Sequence, residues 1–528
     1  MTGWTVRPGY RVYSPRVSMF AEVVDRHVAE GRGEAPAVVW EGGRWSFRDL
    51  QAEAGIVAAG LRGLGVAKGD RVVVRSRNSP QSVATMLAVL KLGAVPVLTN
   101  SLLAESEIEY VLENSQARIA CVPESLAEPV RSLLAKGWLE RVVILDGRPQ
   151  GTRESAYADI RNPDGATLPT EDTDAMDPAF MLYSSGTTGK PKGIVHAQRW
   201  VVTVGDPSVL QMTFAPGDIV GTTGEYSFMG NFGHALIFPL YAGSAIAVFG
   251  GRVTPDAVLA FYASSKPTIF VSVPTFYRTM LAAEEFPRKL KGMGFRFMVS
   301  TGEPLGAAVW SRWQEETGIT LYEIYGVSEF EVLLSNGPDL KVKPGSLGKP
   351  APDVKVGLLD DSLDEVPPGE QGVLMIDRSD PGLFLGYYRE SDRWRAQHRG
   401  QWYYTGDVMR RDEDGYYWYL GRKDDLFKSR GYLISPQEVE NVLQRHPAVA
   451  EVAVIGEPED RIGYAIVAFA VLRSGFKASV ALEEEMVEFV RKNTAPYKVP
   501  QTIRFIAEMP KNPVGKILRR ALRNHGKP

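Results

Sequence analysis

From residue 37 onward the chain alternates between two spacings of apolar residues. Ala37-Val38-Val39-Trp40 and Arg71-Val72-Val73-Val74 are short β-branched runs with the length and composition of buried strands. Ser82 to Leu92 repeats apolar residues at helical spacing, and Gly93-Ala94-Val95-Pro96-Val97-Leu98 returns to strand after a glycine stop. Residues 37–125 therefore predict an α/β pattern, which continues beyond residue 180 and suits parallel sheets covered by helices. Gly60-x-x-Gly63-x-Gly65 follows a helical stretch and runs in the reverse order of a dinucleotide fingerprint. It predicts a helix terminus and a turn.

The sharpest change of pattern lies near residues 422–425. Before it, Tyr416-Tyr417-Trp418-Tyr419-Leu420 reads as a strand entered through the Asp414-Gly415 turn. After it the spacing predicts a helix over Ser435–Arg445, strands over Val449–Ile455 and Ala465–Val471, and a helix over Ala481–Asn493. Tyr497-Lys498-Val499-Pro500 and a strand over Thr502–Ile506 follow. That is an α+β module of about a hundred residues, a common size for a small domain. The expected division is a large N-terminal domain over 1–423 and a small C-terminal domain over 424–528.

Composition narrows the function classes. At 528 residues, with 44% hydrophobic and 23% charged, the chain is long enough for more than one core and resembles an ordinary globular enzyme. The net charge is −3 with lysine and arginine scattered, which gives no reason to expect a nucleic-acid partner. Cys121, the only cysteine, sits in the apolar stretch Ile119–Val122 and is expected to be a buried structural thiol. No apolar run approaches the ~18 residues of a membrane span and no leader pattern opens the chain, so a cytoplasmic location is expected. Six dispersed histidines without HExxH or a Cys/His cluster argue against zinc.

The richest candidate chemistry follows the apolar Ala179-Phe180-Met181-Leu182. The run Tyr183-Ser184-Ser185-Gly186-Thr187-Thr188-Gly189-Lys190-Pro191-Lys192-Gly193 holds three glycines, four Ser/Thr hydroxyls and two lysines. Glycines let main-chain N–H groups approach an anion, hydroxyls donate to phosphate oxygens, and lysines supply charge. A strand feeding such a loop reads as a polyphosphate cradle. It is not a Walker A loop, because only two residues separate Gly186 from Gly189 and Pro191 follows the lysine.

This run resembles the phosphate loop of the adenylate-forming superfamily, which includes acyl- and aryl-CoA synthetases, adenylation domains and firefly-type luciferases. Further matches follow in that family's order: Thr301-Gly302-Glu303-Pro304-Leu305; Glu323-Ile324-Tyr325-Gly326-Val327-Ser328-Glu329, with Ser328 for the usual threonine; and Tyr404-Thr405-Gly406-Asp407. Gly421-Arg422-Lys423-Asp424-Asp425 and Pro510-Lys511-Asn512-Pro513-Val514-Gly515-Lys516 complete the set. The resemblance implies a large domain of helix-flanked sheets with a small β-barrel-like portion, followed by a mobile α+β lid.

The resemblance also implies an acid that attacks ATP to give an acyl-adenylate, then passes to a thiol. Ser184 to Gly189, Lys190 and Lys192 would hold the leaving phosphates, and Thr187 and Glu329 would help to hold Mg²⁺. Gly302, Glu303, Pro304, Glu323, Ile324, Tyr325, Gly326 and Ser328 would surround the adenine. Asp407 would accept hydrogen bonds from the ribose hydroxyls, with Tyr419 and Arg422 near the ribose and phosphate. Lys516 would bridge the substrate carboxylate and the α-phosphate. No cysteine of the chain is placed as acceptor, so the thiol comes from outside, from coenzyme A or a carrier-protein pantetheine. Lys428-Ser429-Arg430-Gly431-Tyr432 resembles the thioester-forming face, where Gly431 borders the pantetheine tunnel. Leu433 departs from the Arg or Gln of many relatives. Asp424 is the implied hinge.

The leading expectation is a carboxylic acid:CoA ligase. The implied acyl pocket comprises Phe228, Met229, Gly230, Asn231, Phe276, Gly302, Val327, Phe330 and Glu331, whose aromatics suit a flat or medium-length apolar acid. Amino-acid adenylation is the competing expectation. The position that would offer an aspartate to a substrate ammonium falls at Gly230, and an unpaired buried ammonium costs about 2–7 kcal/mol. Glu331 is the residue that could substitute, for an aminobenzoate. Whether the chain is a monomer or a homodimer stays open.

Overall fold

The computed structural model describes residues 13–161, 168–184, 191–283, 285–459, 461–511 and 517–523. Its elements are those of an α/β chain with a large N-terminal part and a smaller C-terminal part. The apolar runs become strands where expected, Pro36–Trp40, Arg71–Arg75 and Val95–Thr99, each buried over most of its length. Helix Pro80–Lys91 starts on a reciprocal cap, in which Ser79 accepts from the Ser82 main chain and Ser82 returns the contact, with Pro80 preset in the first turn. Helix Phe47–Gly63 ends at the predicted glycines, and Gly65 takes the left-handed backbone. Gly60 corrects that reading in one respect. It lies inside the helix, where a Cβ would come within 1.9 Å of the Ile160 carbonyl oxygen, so its role is close approach rather than a turn.

Two large sheets form the N-terminal part. In an eight-stranded sheet, strands from Pro178–Ser184 across to Glu154–Ala156 are parallel, while Lys192–Ala197 and Gly386–Tyr387 add an antiparallel edge. A nine-stranded sheet runs parallel from Pro36–Trp40 to Leu321–Val327, and the hairpin strand Phe330–Ser335 turns back antiparallel. One continuous apolar core draws on both sheets and on the helices between residues 200 and 242, with Phe180, Trp200, Phe232 and Phe238 at its centre. A five-stranded, mainly antiparallel sheet carrying Trp402–Arg411 and Tyr417–Arg422 follows.

The C-terminal sheet pairs Val449–Glu459 with Gly463–Leu472 and adds Thr502–Phe505 in parallel. Helices Pro436–Leu443 and Val480–Asn493 cover it over an apolar cluster of its own. Cys121 is fully buried in Ile119–Val122, and burial pushes its thiol up to about 12. Among the described residues, no helix is long and apolar enough to cross a membrane.

Candidate active site

Three sheets converge on one carboxylate. Ser328 and Glu329 form the turn between Leu321–Val327 and Phe330–Ser335. Glu329 is 6% exposed. Its Oε1 accepts from Lys192 Nζ at 2.6 Å and from the Tyr387 hydroxyl at 2.6 Å. Lys192 opens the antiparallel edge strand, directly across from Ser184, and Tyr387 lies on the next strand of that sheet. The Tyr387 oxygen is 2.8 Å from that of Tyr403, which belongs to the third sheet. Burial alone would raise the Glu329 pKa; the Lys192 ammonium and the Tyr387 hydroxyl outweigh it and hold the group below its ordinary value. The result is a buried, ionised carboxylate beside the end of the strand that leads into the glycine-rich run.

A second cluster forms around Asp407, which is 3% exposed. Its Oδ2 accepts from the Tyr325 hydroxyl at 2.5 Å, and its Oδ1 accepts from Arg422 Nη1 at 3.1 Å and Tyr419 at 3.3 Å. Asp407 and Arg422 are register partners on adjacent strands, whereas Tyr325 reaches in from the nine-stranded sheet. Gly326 makes that approach possible. A Cβ there would stand 1.6 Å from the Glu331 carbonyl oxygen, at the irregularity between Tyr325 and Val327.

Glu323 braces the neighbouring loop 302–306, its Oε1 accepting from the Leu305 main chain at 2.8 Å; burial raises its carboxyl to about 7. The Pro304 carbonyl accepts from Arg278 at 3.5 Å, Gly302 has φ +91, and Ile324 is core. The Ser328 carbonyl accepts from His196 Nε2 at 2.9 Å, and burial pushes that imidazole down to about 4.

Among the residues expected to line an acyl pocket, Gly230 is half-buried on the helix Met229–Phe232, and a Cβ there would come 3.0 Å from Thr301. Phe228 precedes the helix, partly open, and Asn231 accepts from Thr222 at 3.0 Å. Val327 is also partly open. Phe330 and Phe276 are placed differently. Phe330 is fully buried against Gly382 and Val204, and Phe276 packs among Phe270 and Tyr277 with ring centroids 5.3 Å away. Glu331 points back to the helix, its Oε1 2.8 Å from His234 Nδ1.

Among the described residues, the C-terminal ones with expected roles take no part in these clusters. Lys428 and Gly431 are exposed on the hairpin Phe427–Ser429/Tyr432–Ile434, and a Cβ on Gly431 would meet nothing within 4 Å. Asp424 is exposed between the two parts. Arg519, three residues beyond Lys516, donates to both Glu440 oxygens at 2.6 and 2.8 Å. Residues 185–190 and Lys516 lie outside the described residues, as does the side chain of Ser184.

Tyr387, Tyr403, His196 and His234 were not among the expected residues. Tyr387 is 58 residues from Glu329 and sits in no motif; only the sheet edge brings it in. Among the described residues, no three His, Cys, Asp or Glu side chains gather to hold a metal. Mg²⁺ needs no such cage, since one or two carboxylates plus phosphate oxygens satisfy it, and an ionised Glu329 fits that role.

Comparison with known proteins extends the geometry. The family model described as "AMP-binding enzyme" matches residues 25–388, and "AMP-binding enzyme C-terminal domain" matches 438–516. A benzoate–CoA ligase of Thauera aromatica is 33% identical over 95% of each chain. An uncharacterized acyl–CoA ligase of Bacillus subtilis is 32% identical over 93% of each. Among solved structures, an anthranilate CoA ligase in complex with anthranoyl-AMP superposes with a TM-score of 0.91. It is 33% identical, covering 97% of this chain and 98% of that one.

Proposed function

The chain belongs to the AMP-binding enzyme family and is an AMP-forming acid–thiol ligase of the acyl/aryl-CoA type, and on that premise we propose that it joins an aromatic or medium-length carboxylic acid to coenzyme A through an acyl-adenylate. In the first step a carboxylate oxygen bonds to the α-phosphorus of ATP as the bond to the pyrophosphate oxygen breaks. In the second, a thiol sulfur bonds to the acyl carbon, AMP leaves, and the thiol proton passes to solvent.

One observation carries this reading: the ionised Glu329, held by Lys192 at 2.6 Å, stands beside the strand end that leads into the glycine-rich run. Lys192 places a cation where pyrophosphate charge grows, and fixed charges in a dry site need no reorganisation as the reaction proceeds. Asp407 presents carboxylate oxygens, already oriented by Tyr325 and Arg422, to the ribose hydroxyls. Glu329, with Thr187, would hold Mg²⁺. That ion would screen the repulsion between the carboxylate and the triphosphate. Lys516 would steady the attacking carboxylate. Gly230 and Phe228 suit a flat apolar acid, and the named aryl–CoA ligase relatives support the same class.

The two steps are assigned to two orientations of residues 424–528 relative to 1–423, with Asp424 as pivot. Lys516 serves adenylation and the Lys428–Gly431 hairpin serves thioester formation. The outward-facing Gly431 supports the adenylating orientation here. Asp424→Pro should then spare adenylation and abolish the CoA step, because a fixed φ blocks the rotation. Equal loss of both steps in a folded variant would refute the pivot.

A panel of carboxylic acids assayed for AMP and pyrophosphate, with and without coenzyme A, tests the whole reading. ADP and orthophosphate as products would overturn it. A hydroxamate-trapping panel dominated by free amino acids would overturn the substrate class.

A further inference from the structure

Lys192 and His196 lie four residues apart on the edge strand Lys192–Ala197, so their side chains leave the same face of the sheet. Both meet the Ser328–Glu329 turn, by different routes. Lys192 takes the Glu329 carboxylate at 2.6 Å, whereas His196 Nε2 donates to the Ser328 main-chain carbonyl at 2.9 Å. The Glu329 carbonyl in turn accepts from the Phe384 main-chain N–H at 3.0 Å. The main chain is therefore held on both sides of the Glu329 α-carbon.

Packing alone does not call for an imidazole at residue 196. The ring is fully buried. Phe180, its register partner, stacks on it with centroids 4.8 Å apart and planes at 11°, and Trp200 meets it edge-on at 5.8 Å. A phenyl ring would make the same contacts without a polar atom. The imidazole instead leaves Nδ1 buried with no hydrogen-bond partner, which is costly. A carbonyl oxygen only accepts, so Nε2 carries the hydrogen and Nδ1 is the bare nitrogen. What the imidazole adds over a phenyl ring is the bond to Ser328.

That bond reaches Glu329 through one rigid unit. A trans peptide is planar, so the Ser328 carbonyl and the Glu329 N–H point in opposite directions, and holding one aims the other. The Glu329 N–H is itself among the groups that keep its carboxyl below the ordinary value. Resting on the ligase reading above, we propose that His196 is a positioning residue for adenylation, fixing the Ser328–Glu329 peptide so that the Glu329 carboxylate keeps the place from which it meets the metal and the leaving phosphates. His196 acts only through the turn.

The test compares three variants of the full-length enzyme. His196→Phe keeps a stacking ring and loses the donor. His196→Gln carries an amide that reaches the place of the imidazole Nε2, and His196→Asn carries one that stops at the place of Nδ1. Pyrophosphate exchange with the best acid of the panel above gives kcat and KM. The metal is followed without turnover, as the Mn²⁺ dissociation constant from electron paramagnetic resonance with α,β-methylene-ATP present. In His196→Phe, kcat should fall and the Mn²⁺ dissociation constant should rise, each about 10–100-fold, as when a partner that orients a metal ligand is removed. The KM for the acid should stay within about twofold, because the acid does not touch the turn. His196→Gln should recover both quantities to within about threefold of the wild type, and His196→Asn should not. Either change without the other, a shift in the acid KM instead, or equal behaviour of His196→Gln and His196→Asn overturns the assignment. Should His196→Phe fail to fold, His196→Gln against His196→Asn decides by the same two quantities. If none of the three folds, the imidazole is an internal strut and the assignment falls. A wild-type enzyme that activates no acid overturns the ligase reading and this one with it, whereas an active enzyme indifferent to the three substitutions overturns the positioning role alone.

Discussion

Glu329 and Glu331 flank Phe330 and are buried to the same degree, 6% and 5% exposed, yet their carboxyls are shifted in opposite directions. For Glu329, burial favours the neutral acid, but an ammonium at 2.6 Å and a hydroxyl on the same oxygen win, and the group stays ionised. For Glu331 burial wins over the His234 contacts, and the carboxyl is pushed up. Burial by itself does not set charge. What decides it is whether a cation is delivered to the same oxygen, and the edge strand carrying Lys192 reaches Glu329 alone. On the proposed function, one glutamate faces phosphate chemistry with its charge intact, and its near neighbour belongs to the acyl side.

The largest test of this contrast removes the cation. Lys192→Met leaves Glu329 buried without compensation and should cost about 3–5 kcal/mol of stability in denaturant titration. A loss under about 1 kcal/mol, the worth of an exposed pair, would mean that Lys192 does not set the difference. Glu329→Gln keeps the shape and discards the charge; kcat for adenylation should fall about 10²–10³-fold, as when a preorganised polar group is removed from an active site. If Glu331→Gln lowers kcat as far on the preferred acid, the two positions are functionally equivalent and the contrast fails. Asp407→Asn should raise the KM for ATP about tenfold or more while leaving that for the acid unchanged, in line with about 1.5–3 kcal/mol for a hydrogen bond to a charged group.

The smallest effect is in the pH dependence of Tm. A carboxyl raised by the fold contributes stability that is complete below its unfolded value, near 4.5, and is lost as pH rises through the folded value. Glu331→Gln should therefore gain on the wild type as pH rises from that value. Glu329 has the opposite sign. Its contribution is present above 4.5 and lost as pH falls through its depressed value, so Glu329→Gln should flatten the acid limb. Matching slopes for the two variants would contradict the opposed directions.

Local pattern carried most of the fold. The helix expected over Ser82–Leu92 is Pro80–Lys91, and the strands expected over Val449–Ile455 and Ala465–Val471 are Val449–Glu459 and Gly463–Leu472. The hairpin strands outran the expectation because pairing continues through polar residues such as Glu457 and Glu459, which apolar spacing cannot register. At the site, ordered motifs pointed to Glu329, Asp407, Tyr325 and Arg422, and the chain brings the last three together. Tyr387 and His234 were illegible for a different reason. Their partners are 58 and 97 residues away, and only a sheet edge and a helix–strand packing bring the pairs into contact. Gly233 and Gly326 are similar cases, since the need for glycine arises from a neighbour distant in sequence or across a hairpin.

The sealed thiol of Cys121 has a practical consequence. A chain whose only cysteine is fully buried, with its pKa pushed up to about 12, offers almost no thiolate to a maleimide or a spin label at neutral pH. The natural protein is therefore its own silent background. Cysteines introduced at exposed positions such as Glu370 and Lys477 would be the only ones to react. A donor and acceptor dye on that pair would report, molecule by molecule, whether residues 424–528 change orientation when coenzyme A follows ATP and acid into the enzyme.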